Sequence, residues 1–247
     1  MSGAVYLVGA GPGAADLLTV RGARLLAEAD VVLHDALVGD DVLALATNAK
    51  LYNVGKRANR PSMDQRFICR LLVRAAARHR IVVRLKGGDP HLFARSDEEL
   101  KACRDAGIPV VTVPGVSAAF AAASVLGASL TSRGVSRSVA FVTPSAAPGR
   151  DDNEHWARAA AAAETAVIYM GAMHAERVRD ALLARGVPVS RPVALVESAS
   201  AAGQNVVRGR LSALTDLVDQ LGQGPAIMII GDIAAETLAA IDQTSAA

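Results

Sequence analysis

Aromatic residues are scarce in this chain of 247 residues: one Trp, three Tyr and four Phe. Packing must therefore rest on Ala, Val, Leu and Ile, which hydrophobic residues at 51% of the sequence supply amply. Cysteine is scarcer still. Cys69 and Cys103 are far apart, with no C-x-x-C and no histidine cluster nearby. That spacing gives neither a structural zinc site nor a disulfide framework, and the cytosol is the natural compartment. Excess charge is also missing. Lys and Arg number 26 against 24 Asp and Glu, a formal net charge of +2. Bulk attraction to nucleic acid is excluded on that balance, and no basic block with interleaved aromatics replaces it. The first residues, Met1 to Val5, carry no positive charge of the kind that opens a signal peptide. One uncharged run, residues 106–132, is long enough to raise a membrane span. Pro109, Pro114 and Gly115 break it, so it reads as a strand, a turn and a small-residue helix.

What remains is a chain of short β-branched runs that stop at glycine. The most telling is Val82-Val83-Arg84-Leu85-Lys86-Gly87-Gly88-Asp89-Pro90. A buried strand ends at two residues without a Cβ, where another molecule can come close to the backbone. Pro90 holds Asp89 extended, with its carboxylate placed to accept hydrogen bonds from a ligand. Two more strands end similarly: Val5 to Val8 runs into Gly9-Ala10-Gly11-Pro12-Gly13-Ala14, and Val110 to Val113 into Pro114-Gly115-Val116-Ser117-Ala118. In a parallel sheet, three such turns converge on one edge, where ligands of open α/β sheets bind.

The opening reads as a βαβ unit, with a helix from Asp16 to Ala29 and a second strand Val31 to Leu33. Its loop fits G-x-G-x-x-A, and Asp35 follows the second strand where an acid would meet a ribose. Pro12 removes an N–H that a pyrophosphate would need. A strand over Leu51 to Val54 leads to a basic loop with Lys56, Arg57 and Arg60, then to a helix from Asp64 to His79 with Phe67, Ile68, Leu71 and Leu72 inward. Ser96 with Glu99 predicts a capping box for a helix to Ala106. Beyond it, strands are expected at 138–142, 166–170, 193–197, 205–209 and 226–230, with helices at 151–164, 174–185 and 212–221. The close spacing of the strands near 193–209 predicts a hairpin in a mixed sheet. Two domains are expected, residues 1–130 with a mostly parallel sheet and residues 131–247 with a mixed one; a frayed tail is expected over 244–247.

Taken together these motifs resemble the tetrapyrrole C-methyltransferases. The stretches that carry the resemblance are Val5 to Gly13 with Asp16 to Thr19, Ala29 to Val32, Asp35 to Val38 and Val54 to Arg57. They continue with Arg84 to Pro90, Pro114 to Ala118, Leu130 to Arg133 and Tyr169 to Gly171, so nearly the whole chain is covered. The resemblance implies two α/β domains with the ligand cleft between them, and a homodimer. It implies S-adenosyl-L-methionine (SAM) as methyl donor, leaving as S-adenosylhomocysteine. By position, Pro12, Gly87, Gly88, Asp89, Ser117, Ala118, Met170, Ala199 and Ala226 match the family's donor contacts. Arg95, Glu98, Arg133 and Met170 match positions on the tetrapyrrole side.

The implied reaction is methylation of uroporphyrinogen III at C2 and C7 to give precorrin-2, as in siroheme and cobalamin synthesis. A polycarboxylate substrate calls for arginine forks, and Arg95 and Arg133 read as carboxylate clamps. Arg60 and Arg137 read as solvated charges. Glu98 can orient Arg95 or accept a proton, while Arg95 is a poor base. His91 has no partner in sequence. The chain departs from the family's Gly-Arg-Gly-Gly-Glu-Glu run, with Ala94-Arg95-Ser96-Asp97-Glu98-Glu99 in its place, and from its usual Tyr-Asp with His34-Asp35. Ser132 stands where a histidine is usual, and Ala199 lies in a segment that is Thr-rich elsewhere. Three alternatives stay open: a sister enzyme acting on a later precorrin, a nicotinamide dehydrogenase built on the Gly9 to Ala14 loop, and a tetrapyrrole carrier without catalysis.

Overall fold

The computed structural model describes residues 3–55, 64–145 and 154–235. The chain divides into two compact units, Met1–Ser117 and Ala118–Ala247. The break falls earlier than the expected 130/131. The helix Ala118–Leu126 packs its alanines onto the second sheet, so it is part of the second unit and not of the first. The basic loop of Lys56, Arg57 and Arg60, the expected helix start at Asp151 and the tail over 244–247 lie outside the described residues.

The first unit is built on five parallel strands: β1 (Ala4–Gly9), β2 (Val31–His34), β3 (Lys50–Asn53), β4 (Ile81–Lys86) and β5 (Val110–Val113), in the order β3-β2-β4-β1-β5. Helices cover both faces, as a parallel sheet requires. Helix α1 (Val20–Glu28) and the short α2 (Asp40–Leu43) bury Leu25, Leu26 and Val42 against Val8, Val83 and Leu85. Helices α3 (Gln65–Ala76) and α4 (Ser96–Asp105) bury Ile68, Leu72 and Cys103 against Val5, Leu7 and Val82. The chain therefore leaves β1 on one face of the sheet and β4, its neighbour, on the other. Loops that part in this way open a crevice at the carboxyl ends of the strands. Phe67, expected inward, is exposed, with the Arg70 guanidinium 5.8 Å from its ring centroid.

Two local expectations also change. Helix α1 starts at Val20, not Asp16, with Thr19 as N-cap accepting from the Gly22 N–H at 3.1 Å. A 3₁₀ turn over Ala15–Leu17 separates it from the glycine loop. Nor is Ser96 with Glu99 a capping box. The N-cap of α4 is Arg95, in the left-handed region at φ 56°, and Ser96 Oγ donates to the Pro90 carbonyl.

The second unit holds a mixed sheet of β6 (Val139–Val142), β7 (Thr165–Tyr169), β8 (Pro192–Glu197), β9 (Asn205–Arg210) and β10 (Ala226–Gly231), in the order β6-β7-β10-β8-β9. The β8–β9 hairpin is antiparallel, and β10 runs antiparallel to both β7 and β8. Helix α5 (Ala118–Leu126) covers one face. The other is covered by α6 (His155–Ala162), α7 (Ala175–Leu183) and α8 (Leu214–Val218). The uncharged run 106–132 contains β5 and α5, and no helix among the described residues is long and apolar enough to cross a membrane.

Candidate functional site

The three glycine bends of the first unit meet. Gly11 and Gly88 form an antiparallel bridge: the Gly88 N–H donates to the Gly11 carbonyl at 2.7 Å, and the Gly11 N–H returns at 3.3 Å. A Cβ on Gly9 would stand 2.6 Å from both Gly115 Cα and the Gly88 carbonyl oxygen; one on Gly115 would stand 2.3 Å from that oxygen. Only residues without a Cβ let these backbones approach so closely. Asp89 ties the bends further. Its Oδ1 accepts from the His91 N–H at 2.8 Å and its Oδ2 from the Gly115 N–H at 2.9 Å. The carboxylate expected to face a ligand thus first serves the main chain. Gly87 differs from Gly9 and Gly115: apart from the adjoining residues of the chain, no atom lies within 4 Å of where its Cβ would be. The edge is open there.

Behind this edge lies a charge cluster. Strand periodicity puts Arg84 and Lys86 on the α3–α4 face with Val82. Glu99, fully buried on α4, accepts at Oε1 from Arg84 Nε and from Gln65 Nε2, and at Oε2 from Lys86 Nζ, each at 3.0 Å. Arg84 also reaches Asp35 and donates to the Leu85 carbonyl at 3.0 Å. Burial opposes the Arg84 charge, but Asp35 and Glu99 outweigh it and hold the group protonated above its usual range. Burial, then the charge of Arg84, lowers Lys86 below its usual value against the pull of Glu99. Asp35 is therefore committed to an arginine rather than poised for a ribose. With the N-terminus of α1 capped by Thr19, away from the glycine loop, the dinucleotide reading lacks both its acid and its pyrophosphate site.

Arg95 projects from the start of α4, exposed and paired with Glu98 through two bonds, Nε to Oε1 at 2.7 Å and Nη2 to Oε2 at 3.0 Å. The Glu98 bond raises Arg95 further above its usual value, so it is a cation and not a base. His91 is exposed, and no described residue accepts from or donates to its ring. Burial pushes the Cys103 thiol up to about 11, which removes it as a nucleophile near neutral pH.

In the second unit, Met170 follows β7 and Ala199 follows β8, while Ala226 opens the antiparallel β10, so the three share one sheet edge. Met170 is at φ 54°, Ser198 at 48° and Ser200 at 58°. Five of the six described non-glycine residues at positive φ (these three, Phe93 and Arg95) lie in the loops after β4, β7 and β8. Such strain collects at ligand sites. Glu197 steadies the edge, accepting from the Gly222 N–H at 2.8 Å and the Gly224 N–H at 2.6 Å. The Ala119 N–H at the start of α5 donates to Tyr169 Oη at 3.1 Å, beside Ala118. Arg133 is exposed on the tight Ser132–Ser136 turn and has no ion-pair partner among the described residues. Pro12 and Ser117 are on the first unit's bends, part-buried and buried respectively.

Sequence reasoning missed Glu99, Ser198 and Ser200. Two basic residues alternating inside the central strand, Arg84 and Lys86, were the signal that an acid had to be buried opposite them. A concavity of about 400 Å³ elsewhere in the first unit, lined by Tyr6, Arg21, Arg24, Leu25, Glu28, Val111 and Val113, includes none of these residues.

Comparison with known proteins gives a consistent picture. The tetrapyrrole (corrin/porphyrin) methylase family profile matches residues 4–215. The chain is 44% identical over 232 residues to siroheme synthase 1 of Aeromonas hydrophila, covering 94% of this chain and 50% of that protein. It spans about half the length of the siroheme synthases it matches. Among solved structures, the uroporphyrin-III C-methyltransferase of Thermus thermophilus complexed with S-adenosylhomocysteine is 39% identical with a TM-score of 0.82, over 94% of this chain and 99% of that one. A cobalt precorrin-4 methyltransferase is 25% identical with a TM-score of 0.79, over 92% and 94%.

Proposed function

Because the chain belongs to the tetrapyrrole (corrin/porphyrin) methylase family, we propose that it transfers methyl groups from SAM to C2 and C7 of uroporphyrinogen III, giving precorrin-2. The observation that carries this reading is the match, over 99% of its length, to a uroporphyrin-III methyltransferase holding the demethylated donor. A sister enzyme for a later precorrin is less favoured, since the precorrin-4 relative is only 25% identical.

SAM supplies the electrophile, a methyl on a positively charged sulfur. The chain's own residues position it. Pro12, Gly87, Gly88, Asp89 and Ser117 in the first unit, and Ala118, Met170, Ala199 and Ala226 in the second, are assigned to the donor. The opening beside Gly87 fits this role, since it offers main-chain groups to a ligand with no side chain in the way. Arg95 and Arg133 are assigned to the substrate's carboxylates, with Glu98 orienting Arg95 as a bidentate partner. In-line approach of a nucleophilic ring carbon to the methyl then depends on positioning. A homodimer in the cytosol is the assembled form in this reading.

The test is uroporphyrinogen III and SAM with purified protein, product followed by absorbance and mass. Precorrin-2 is expected. Failure to turn over that substrate, with turnover of a later precorrin, would favour the sister enzyme. Calorimetry with S-adenosylhomocysteine against NAD checks the donor, and NAD binding alone would end the reading. Light scattering checks the dimer.

A further inference from the structure

The loop from Gly87 to Arg95 carries the open donor edge at one foot and the Arg95–Glu98 pair at the other. One buried carboxylate holds both feet. Glu99 sits one turn into α4, next to Glu98, and binds Lys86, the residue before Gly87, at 3.0 Å. Its other oxygen binds Arg84 at 3.0 Å, and Arg84 reaches on to Asp35 at the end of β2. Glu99, Lys86 and Arg84 are 0–2% exposed, and two cations face two anions.

Stability alone does not call for this arrangement. Apolar side chains of the same volume commonly hold a core as well as a buried ion pair does. They do so without direction, whereas two oxygens of one carboxylate, each bound to a different residue of β4, fix both the distance and the rotation of α4 against that strand. We propose that Glu99 is a positioning residue: through Lys86 and Arg84 it keeps the Gly87–Asp89 bend and the Arg95–Glu98 pair in fixed register. The meaning given to those two ends rests on the methyltransferase reading above.

The test compares the full-length chain with Glu99→Gln, with Glu99→Gln combined with Lys86→Met, and with Lys86→Arg. Glu99→Gln alone strands a buried ammonium and should lower Tm. The double variant removes both charges, leaves Arg84 with Asp35, and should recover a Tm near wild type. Its binding of S-adenosylhomocysteine should still weaken about tenfold. Its kcat with uroporphyrinogen III should fall about 100-fold with KM within a few-fold, the cost of misplacing groups by about 1 Å. Lys86→Arg keeps a cation for Glu99 and should retain most of both activities. A double variant with wild-type Tm, donor affinity and kcat overturns the proposal, because the cluster is then structural only. Failure of the double variant to fold overturns it too, since the cluster is then a folding determinant. A wild-type protein that binds S-adenosylhomocysteine but leaves uroporphyrinogen III untouched defeats the substrate reading alone; donor affinity of the double variant then decides on Glu99.

Discussion

Asp89 and Gly115 are joined across two loops: Oδ2 of the first accepts from the N–H of the second at 2.9 Å, tying the end of β4 to the end of β5. Asp89→Ala leaves that part-buried N–H without its partner. It should cost about 2 kcal/mol, within the range for an unsatisfied buried donor. Asp89→Asn keeps one acceptor for Gly115 and should cost about half as much. Denaturant unfolding measures both, and donor affinity should fall in the same order. Equal stability of all three proteins would show that the tie carries no weight.

Gly9 and Gly87 should respond in opposite ways. Gly9→Ala drives a methyl into the main chain of Gly115 and Gly88 and should destabilise the protein by at least about 3 kcal/mol, or prevent folding. Gly87→Val meets open space and should stay within about 1 kcal/mol of wild type. It should nonetheless weaken S-adenosylhomocysteine at least tenfold by calorimetry. Unchanged affinity would move the donor away from this edge.

Arg95 is held in a backbone conformation that favours glycine. Arg95→Gly relieves about 1 kcal/mol of backbone strain and loses an exposed ion pair that contributes less than about 1 kcal/mol. The variant should be as stable as wild type or slightly more so. Turnover should drop about 100-fold or more, while donor affinity stays within a few-fold. If turnover survives, the substrate-clamp assignment fails.

Asp30 lies at the opposite edge of the first sheet and accepts from the Arg80 and Ile81 N–H groups, both at 2.8 Å. The Ile81 bond leads the causes that lower its pKa from 3.8. A depressed folded-state value means the contribution is present above the unfolded value near 3.8 and fades as pH falls through the folded value. Asp30→Ala should therefore lose about 1 kcal/mol at neutral pH, a figure reduced for exposure, and its deficit should shrink below about pH 4. Donor affinity should not change. Thermal melts from pH 3 to pH 7 read the first effect, calorimetry the second.

The strands and the three bends were legible because β-branched runs that stop at glycine report both burial and close approach. Their convergence followed from parallel pairing. Glu99 was misread for a physical reason: Ser96 and Glu99 have the spacing of a capping box, but two buried cations on β4 claim the carboxylate more strongly than a helix end does. The domain break was misplaced because glycine, serine and arginine gather over 126–138, which is a turn inside the second unit. Nothing in the alanine-rich α5 says which sheet it will cover. The left-handed Ser198 and Ser200 were invisible, since serine gives no local sign of that conformation.

The junction of Gly9, Gly88 and Gly115 is a contact between peptide atoms, braced by the Asp89 carboxylate and touched by neither Arg95 nor Arg133 among the contacts described. An engineer fitting this scaffold to an acidic macrocycle of choice could therefore redraw the exposed Arg95 and Arg133, while the three glycines and Asp89 would have to be inherited untouched.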